Sequence, residues 1–214
     1  AYSAVGGSTS TIINLLVGFF VGISSGATVL IAQKYGAGDE KGTSDAIHTA
    51  AAFCLAISLF LTVVGLLTSR ISLLWLNTPE DILPYALTYI RIDYCGILFN
   101  LVYNIGSSIL RALGNSKRPL YILMACSFSN IIIDLFFVVV LHMDTAGVAL
   151  ATVLSQALSA TLVVIILVRT KGPFRLYFSK IRFHGYILRP MMRIGIPAGL
   201  QSSMFGIANL LVQY

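Results

Sequence analysis

The chemistry this sequence could carry starts at one carboxylate. Asp134 lies in Asn130-Ile131-Ile132-Ile133-Asp134-Leu135-Phe136-Phe137, an otherwise apolar run. Within a bilayer a carboxylate costs about 2.5–3.5 kcal/mol on insertion scales, so it persists where it faces a polar cavity and has a partner. There it can exchange a proton or hold a cation. Asn130, four residues earlier, shares its helical face. After the turn His142-Met143-Asp144 a second apolar run returns. Thr152 is seven residues into that run, as Asp134 is seven from Leu141. Both are therefore expected about 10 Å from the same end. Asn130 and Gln156 match about one turn deeper. Asp134, Asn130, Thr152 and Gln156 would then form a cluster of oxygens able to hold a proton or a hard cation such as Na⁺. The bland alternative is a buried Asp that joins helices by hydrogen bonding, as Thr and Gln also do.

Other polar residues are weaker candidates. Asn100 and Asn104 sit at i, i+4, with Ser107 and Ser108 beyond them. This stripe either lines a substrate cavity or bonds helix to helix. Arg91 and Asp93 are two apart and do not face each other on a helix; a structural role, with Arg91 reaching the interface, is expected. His48 reads as interfacial. Gly18, Gly22 and Gly26 make a small-residue seam suited to close helix packing. Cys54, Cys95 and Cys126 are expected to be free thiols filling space between helices. No His/Cys cluster indicates a metal.

The elements that position these residues are apolar helices. Of 214 residues, 57% are apolar and 10% charged, and mean hydropathy is +0.88. A soluble domain carries about 25% charged residues, so this chain cannot coat a water-soluble particle. Disorder is excluded on the same grounds, and an odd three cysteines in a long chain exclude a disulfide scaffold. Spans long enough for a bilayer are expected at about 8–34, 44–68, 82–110, 119–141 and 145–168, with a last apolar run at 191–214. Helices are required, because open strand edges cannot face lipid. The fold class is an all-α, polytopic helical bundle.

Charge placement orients the bundle. Twelve of the fourteen Lys and Arg fall in 34–45, 111–118 and 169–193, all on one side. The positive-inside rule makes those loops cytoplasmic. The net charge of +6 is thus a topology signal, and nucleic acid is not an expected partner. The stretch 173–189 mixes aromatic and basic residues and can lie in the headgroup layer; it is read as a linker pressed on the membrane. With no basic region before the first apolar run, no signal peptide is expected, and the chain reads as an internal piece of a longer protein.

Several loop motifs resemble one family. Gln33-Lys34-Tyr35-Gly36-Ala37-Gly38-Asp39 resembles the first cytoplasmic loop of MATE (multidrug and toxic compound extrusion) transporters. Arg111-Ala112-Leu113-Gly114-Asn115-Ser116-Lys117-Arg118-Pro119 resembles their next cytoplasmic loop, and Asn130-x3-Asp134 with Gly147-Val148-Ala149-Leu150-Ala151-Thr152 resembles the following helix pair. Gly195-Ile196-Pro197-Ala198-Gly199-Leu200-Gln201 resembles the start of the second lobe. The family has two pseudo-symmetric lobes of six helices. The resemblance implies that 1–170 is the first lobe without its first helix, 171–190 the inter-lobe linker, and 191–214 the truncated first helix of the second lobe. Asn130, Asp134 and Thr152 match the family's cation site, whose further acid would lie on the absent helix. No acid follows Asp144, so a helix-seven Na⁺ site is not expected.

The implied function is a secondary antiporter, not an enzyme, in a bacterial plasma membrane. It would export cationic or amphipathic organic compounds in exchange for H⁺ or Na⁺, without a cofactor. Its partners would be a small organic substrate, the bilayer and the rest of the polypeptide. One alternative is a lipid-linked precursor flippase or polysaccharide exporter of the wider superfamily; it would need a large basic cavity, and the span interiors carry Arg91 alone. An intramembrane enzyme would need a nucleophile–base pair or metal ligands at one depth, and Asp134 has no such companion. A non-transporting membrane scaffold is the remaining alternative.

Overall fold

The computed structural model describes residues 2–75, 83–143, 145–170 and 174–213, with side chains at 18–71, 73–74, 83–143, 146–170 and 174–204. The expected connector around Asn77, Thr78, Pro79, Glu80 and Asp81, the turn residue Asp144 and linker residues 171–173 lie outside them. The described chain is a bundle of six α-helices: α1 Tyr2–Gly36, α2 Glu40–Trp75, α3 Leu83–Ala112, α4 Lys117–Leu135, α5 Thr145–Arg169 and α6 Gly185–Gln213. No strand occurs among the described residues. Within them, Glu40–Ile71, Lys117–Val140 and Ala146–Arg169 are long and apolar enough to cross a bilayer. The protein is an integral membrane protein of all-α class.

The loops at the basic end are built by caps. Gly38 takes φ 71°, a left-handed conformation that glycine adopts without steric cost. It ends α1, with the Asp39 N–H donating to the Lys34 carbonyl at 3.1 Å. Asp39 then starts α2: its Oδ1 accepts the Gly42 N–H at 2.8 Å and its Oδ2 meets Lys34 Nζ at 3.0 Å. Backbone donation and the ammonium hold the Asp39 carboxyl below its ordinary pKa. Gly114, at φ 80°, ends α3 in the same way, with the Asn115 N–H on the Leu110 carbonyl.

Helix α3 is the hub. Ala86, Ile90, Tyr94, Ile97, Leu101, Ile105 and Ile109 recur at spacings of three and four and are buried, a stripe packed against α1, α2 and α5. Cys95 lies off this stripe and is exposed, whereas Cys54 and Cys126 are buried; the expectation that all three fill interhelical space is corrected there. By contrast α4 is peripheral: only Pro119, Ile122 and Cys126 are buried, while Leu120, Phe128, Ile131, Ile132 and Leu135 are exposed. Such a surface suits hydrocarbon rather than water.

Helix α1 packs on α6 through facing glycines. A Cβ added at Gly26 would meet the Gly195 nitrogen at 2.7 Å, and one at Gly195 the Ile23 carbonyl at 2.8 Å. Gly22 faces Gly199 as closely, whereas Gly18 has nothing within 4 Å. Helix α6 begins at Gly185, within the basic stretch, and runs through Pro190 and Pro197. The His184 carbonyl accepts the Ile187 and Leu188 N–H groups at 2.9 Å, so ordinary helix capping sets its start.

Candidate functional site

Helices α3, α4 and α5 border an open cleft of about 500 Å³ that carries polar side chains among apolar ones. Its lining includes Asn100 and Asn104 from α3, Asn130 from α4, and Thr152 and Gln156 from α5. Five of the residues singled out by type and spacing thus border one space.

Hydrogen bonding gives the cleft its character. Asn104 Nδ2 donates to the Asn100 carbonyl at 2.9 Å and to its Oδ1 at 2.8 Å, fixing both amides. Thr152 Oγ1 donates to the Val148 carbonyl at 3.0 Å, and Ser155 and Ser159 likewise donate within α5. A hydroxyl whose proton is spent on its own helix offers only lone pairs to its surroundings. The wall is therefore rich in acceptors, a lining suited to cations. On the α3 side, Gln156 Oε1 lies 2.9 Å from where a Cβ on Gly96 would stand. Glycine is what lets the amide approach the α3 backbone.

Asp134 is placed differently. It follows Asn130 by about one turn but is not among the residues lining the cleft. Its Oδ1 is buried and has no hydrogen-bond partner. No hydrogen bond joins it to Thr152, whose hydroxyl proton goes to Val148. A buried acceptor without a partner carries a desolvation cost of about 1–3 kcal/mol or more when charged. Immediately after Asp134, residues Phe136–Val140 form a π-helical turn, a rare widening that recurs at functional sites.

Sequence reasoning missed Tyr103, Ser127, Ser155 and Ser159, which also line the cleft. The signal was present on α5: Thr152, Ser155, Gln156 and Ser159 follow i, i+3, i+4, i+7 spacing. Ser107 and Ser108 do not continue the α3 stripe into the cleft. Both are buried; Ser108 accepts from Arg111 at 3.0 Å, and Ser107 Oγ has no partner. His48 is also buried and structural: its Nδ1 donates to the Ser44 carbonyl at 2.7 Å, and its Nε2 accepts the Tyr177 N–H at 3.0 Å. No group of three His, Cys, Asp or Glu side chains with metal-ligand geometry occurs among the described residues.

Comparison with known proteins places this bundle. A family model described as MatE matches residues 3–136. The chain is similar to the probable multidrug resistance protein YpnP of Bacillus subtilis (strain 168), 33% identical over 195 residues, covering 90% of this chain and 43% of that protein. It is 29% identical to the probable multidrug resistance protein YoeA of the same organism over 209 residues, 92% of this chain and 44% of that one. Among solved structures, an inward-facing multidrug resistance MATE family transporter of the MOP superfamily superposes with TM-score 0.88 at 22% identity, over 96% of this chain and 47% of the other. A MATE structure in the bent conformation gives 0.89 at 22% identity, over 97% and 46%. The chain spans less than half the length of these relatives.

Proposed function

Since the chain belongs to the MatE transporter family, we propose that it is part of a secondary active antiporter that exports cationic or amphipathic organic compounds in exchange for H⁺ or Na⁺. Residues 1–170 are first-lobe helices, 171–190 the inter-lobe linker together with the first turn of α6, and 191–214 the opening of the second lobe. The segments 34–45, 111–118 and 169–193, which take in helix ends as well as loops, are cytoplasmic, in a bacterial plasma membrane.

Asp134 carries the coupling. It is charged or ion-bound in one conformation and neutral in the other. Asn130, Thr152 and Gln156 supply further oxygens, and Asn100 and Asn104 face the organic substrate. The single observation behind this reading is the buried, unpartnered Oδ1 of Asp134, one turn from an acceptor-lined cleft. A proton or cation gives that oxygen the partner it lacks. Occupancy that differs between two conformations biases their equilibrium; equal affinity for both would shift nothing.

The test is transport by the full-length protein in liposomes, with proton and sodium gradients imposed separately. Asp134→Asn is expected to abolish gradient-driven substrate movement. Wild-type rates in that variant under both gradients would remove Asp134 from the mechanism.

A further inference from the structure

At the basic end, the chain after α5 folds back as a strap. The Leu176 N–H donates to the Leu167 carbonyl at 3.2 Å, Leu176 is 5% exposed, and the Tyr177 N–H is held by His48. Successive strap residues then meet two surroundings. Tyr177, Ser179, Lys180 and Arg182 border an open polar cleft of about 750 Å³ against the first turns of α2. Leu176, Phe178 and Ile181 border an apolar crevice that also takes in Leu55 of α2.

The polar side is cationic. Lys41, Lys180 and Arg182 line it, and among the described residues none of the three lies within ion-pair distance of a carboxylate, whereas Lys34 is paired with Asp39. Two acids, Glu40 and Asp45, also border the cleft; Asp45 accepts from the Tyr186 hydroxyl, and the three cations outnumber the two carboxylates. Lys180 rests over the Tyr177 ring, 4.9 Å from its centroid, and Arg182 spends its Nε on His184 at 3.1 Å. The terminal nitrogens of Arg182 remain for an anion. The apolar side is open: Phe178 is 65% exposed, and Leu55, Leu59 and Val63 are exposed at spacing four along α2. That spacing makes one continuous row down the helix.

We propose that the strap binds one anionic phospholipid, with its phosphate on Lys180, Arg182 and Lys41 and an acyl chain laid past Phe178 along Leu55, Leu59 and Val63. Ammonium and guanidinium groups both donate to phosphate oxygens, the latter in a planar fork. Basic residues at a membrane surface select anionic headgroups. A free phosphate would satisfy only the cleft, and a zwitterionic lipid would bring a cation of its own against Lys41, Lys180 and Arg182. A phospholipid of net negative charge satisfies both the cleft and the apolar row at once. Residues 169–193 hold seven Lys and Arg and no acid, which complements such a partner.

The experiment is native mass spectrometry of the full-length protein titrated with phosphatidylglycerol, phosphatidylcholine or glycerol phosphate. Phosphatidylglycerol should be retained about tenfold better than phosphatidylcholine. The double variant Lys180→Gln/Arg182→Gln should lose that preference, Lys180→Arg should keep it, and Phe178→Ser should weaken both lipids. Equal retention of the two lipids, or an unchanged preference in the double variant, would overturn the proposal. Competition by glycerol phosphate as effective as that of phosphatidylglycerol would also overturn it and mark a soluble-anion site instead.

Discussion

Gln156 of α5 lies over the backbone of α3 at Gly96, with its Oε1 2.9 Å from the position a Cβ would take there. Val153 Cγ2 stands at 2.8 Å from the same point. One glycine therefore sets both the α3–α5 spacing and the pose of an amide in the cleft that α3, α4 and α5 border.

Gly96→Ala should accordingly push Gln156 and Val153 aside. A destabilisation of about 1–3 kcal/mol is expected from such overpacking, read as a lower melting temperature in detergent. Adding Gln156→Ala should recover part of it, whereas additive losses would show that the contact is not where the strain falls.

Asp134 separates a working residue from a structural one. Its buried oxygen makes no hydrogen bond, so Asp134→Asn should leave thermal stability unchanged or raised while gradient-driven transport is lost. If Asp134 served only to tie helices together, the same substitution would lower the melting temperature instead.

The glycine seam gives a paired contrast. At Gly22 and Gly199 the neighbouring atoms are mainly helix backbone, which cannot swing away, whereas nothing lies within 4 Å of Gly18. Gly22→Leu should part α1 from α6 and cost about 2 kcal/mol or more. Gly18→Ala should be silent. Limited proteolysis at the basic-end strap, followed against temperature, distinguishes them.

The start of α6 also has a signature at high pH. The Tyr186 hydroxyl donates to Asp45, which pushes the phenol from its ordinary 10.0 up to about 12. The protonated phenol is the form the fold favours, so its contribution is complete below about pH 10 and is lost as pH rises through about 12. Ultraviolet difference titration against Tyr186→Phe should find this phenol ionising well above its ordinary 10.0. Asp45→Asn should bring it back toward the ordinary value.

Much of the architecture was legible in the residues themselves. Low charge and long apolar runs require membrane helices, because backbone groups must be satisfied inside lipid. The helical period also places Asn100 with Asn104, and Asn130 with Asp134, on common faces. Gly38 and Gly114 mark chain reversals that their positive φ values explain. These are properties of one segment at a time.

What the tertiary structure alone decided is which faces meet. The α3 amides and the α5 hydroxyls line one cleft because α3, buried along its length, packs against a helix not adjacent to it in sequence. Close packing selects such neighbours by the shapes of whole surfaces, which no local period encodes. For the same reason Asp134, read as a member of an oxygen cluster, stands beside the cleft with an unpaired oxygen. Likewise His48, read as interfacial, is buried at 2% exposure, under a strap that arrives 129 residues later in the chain.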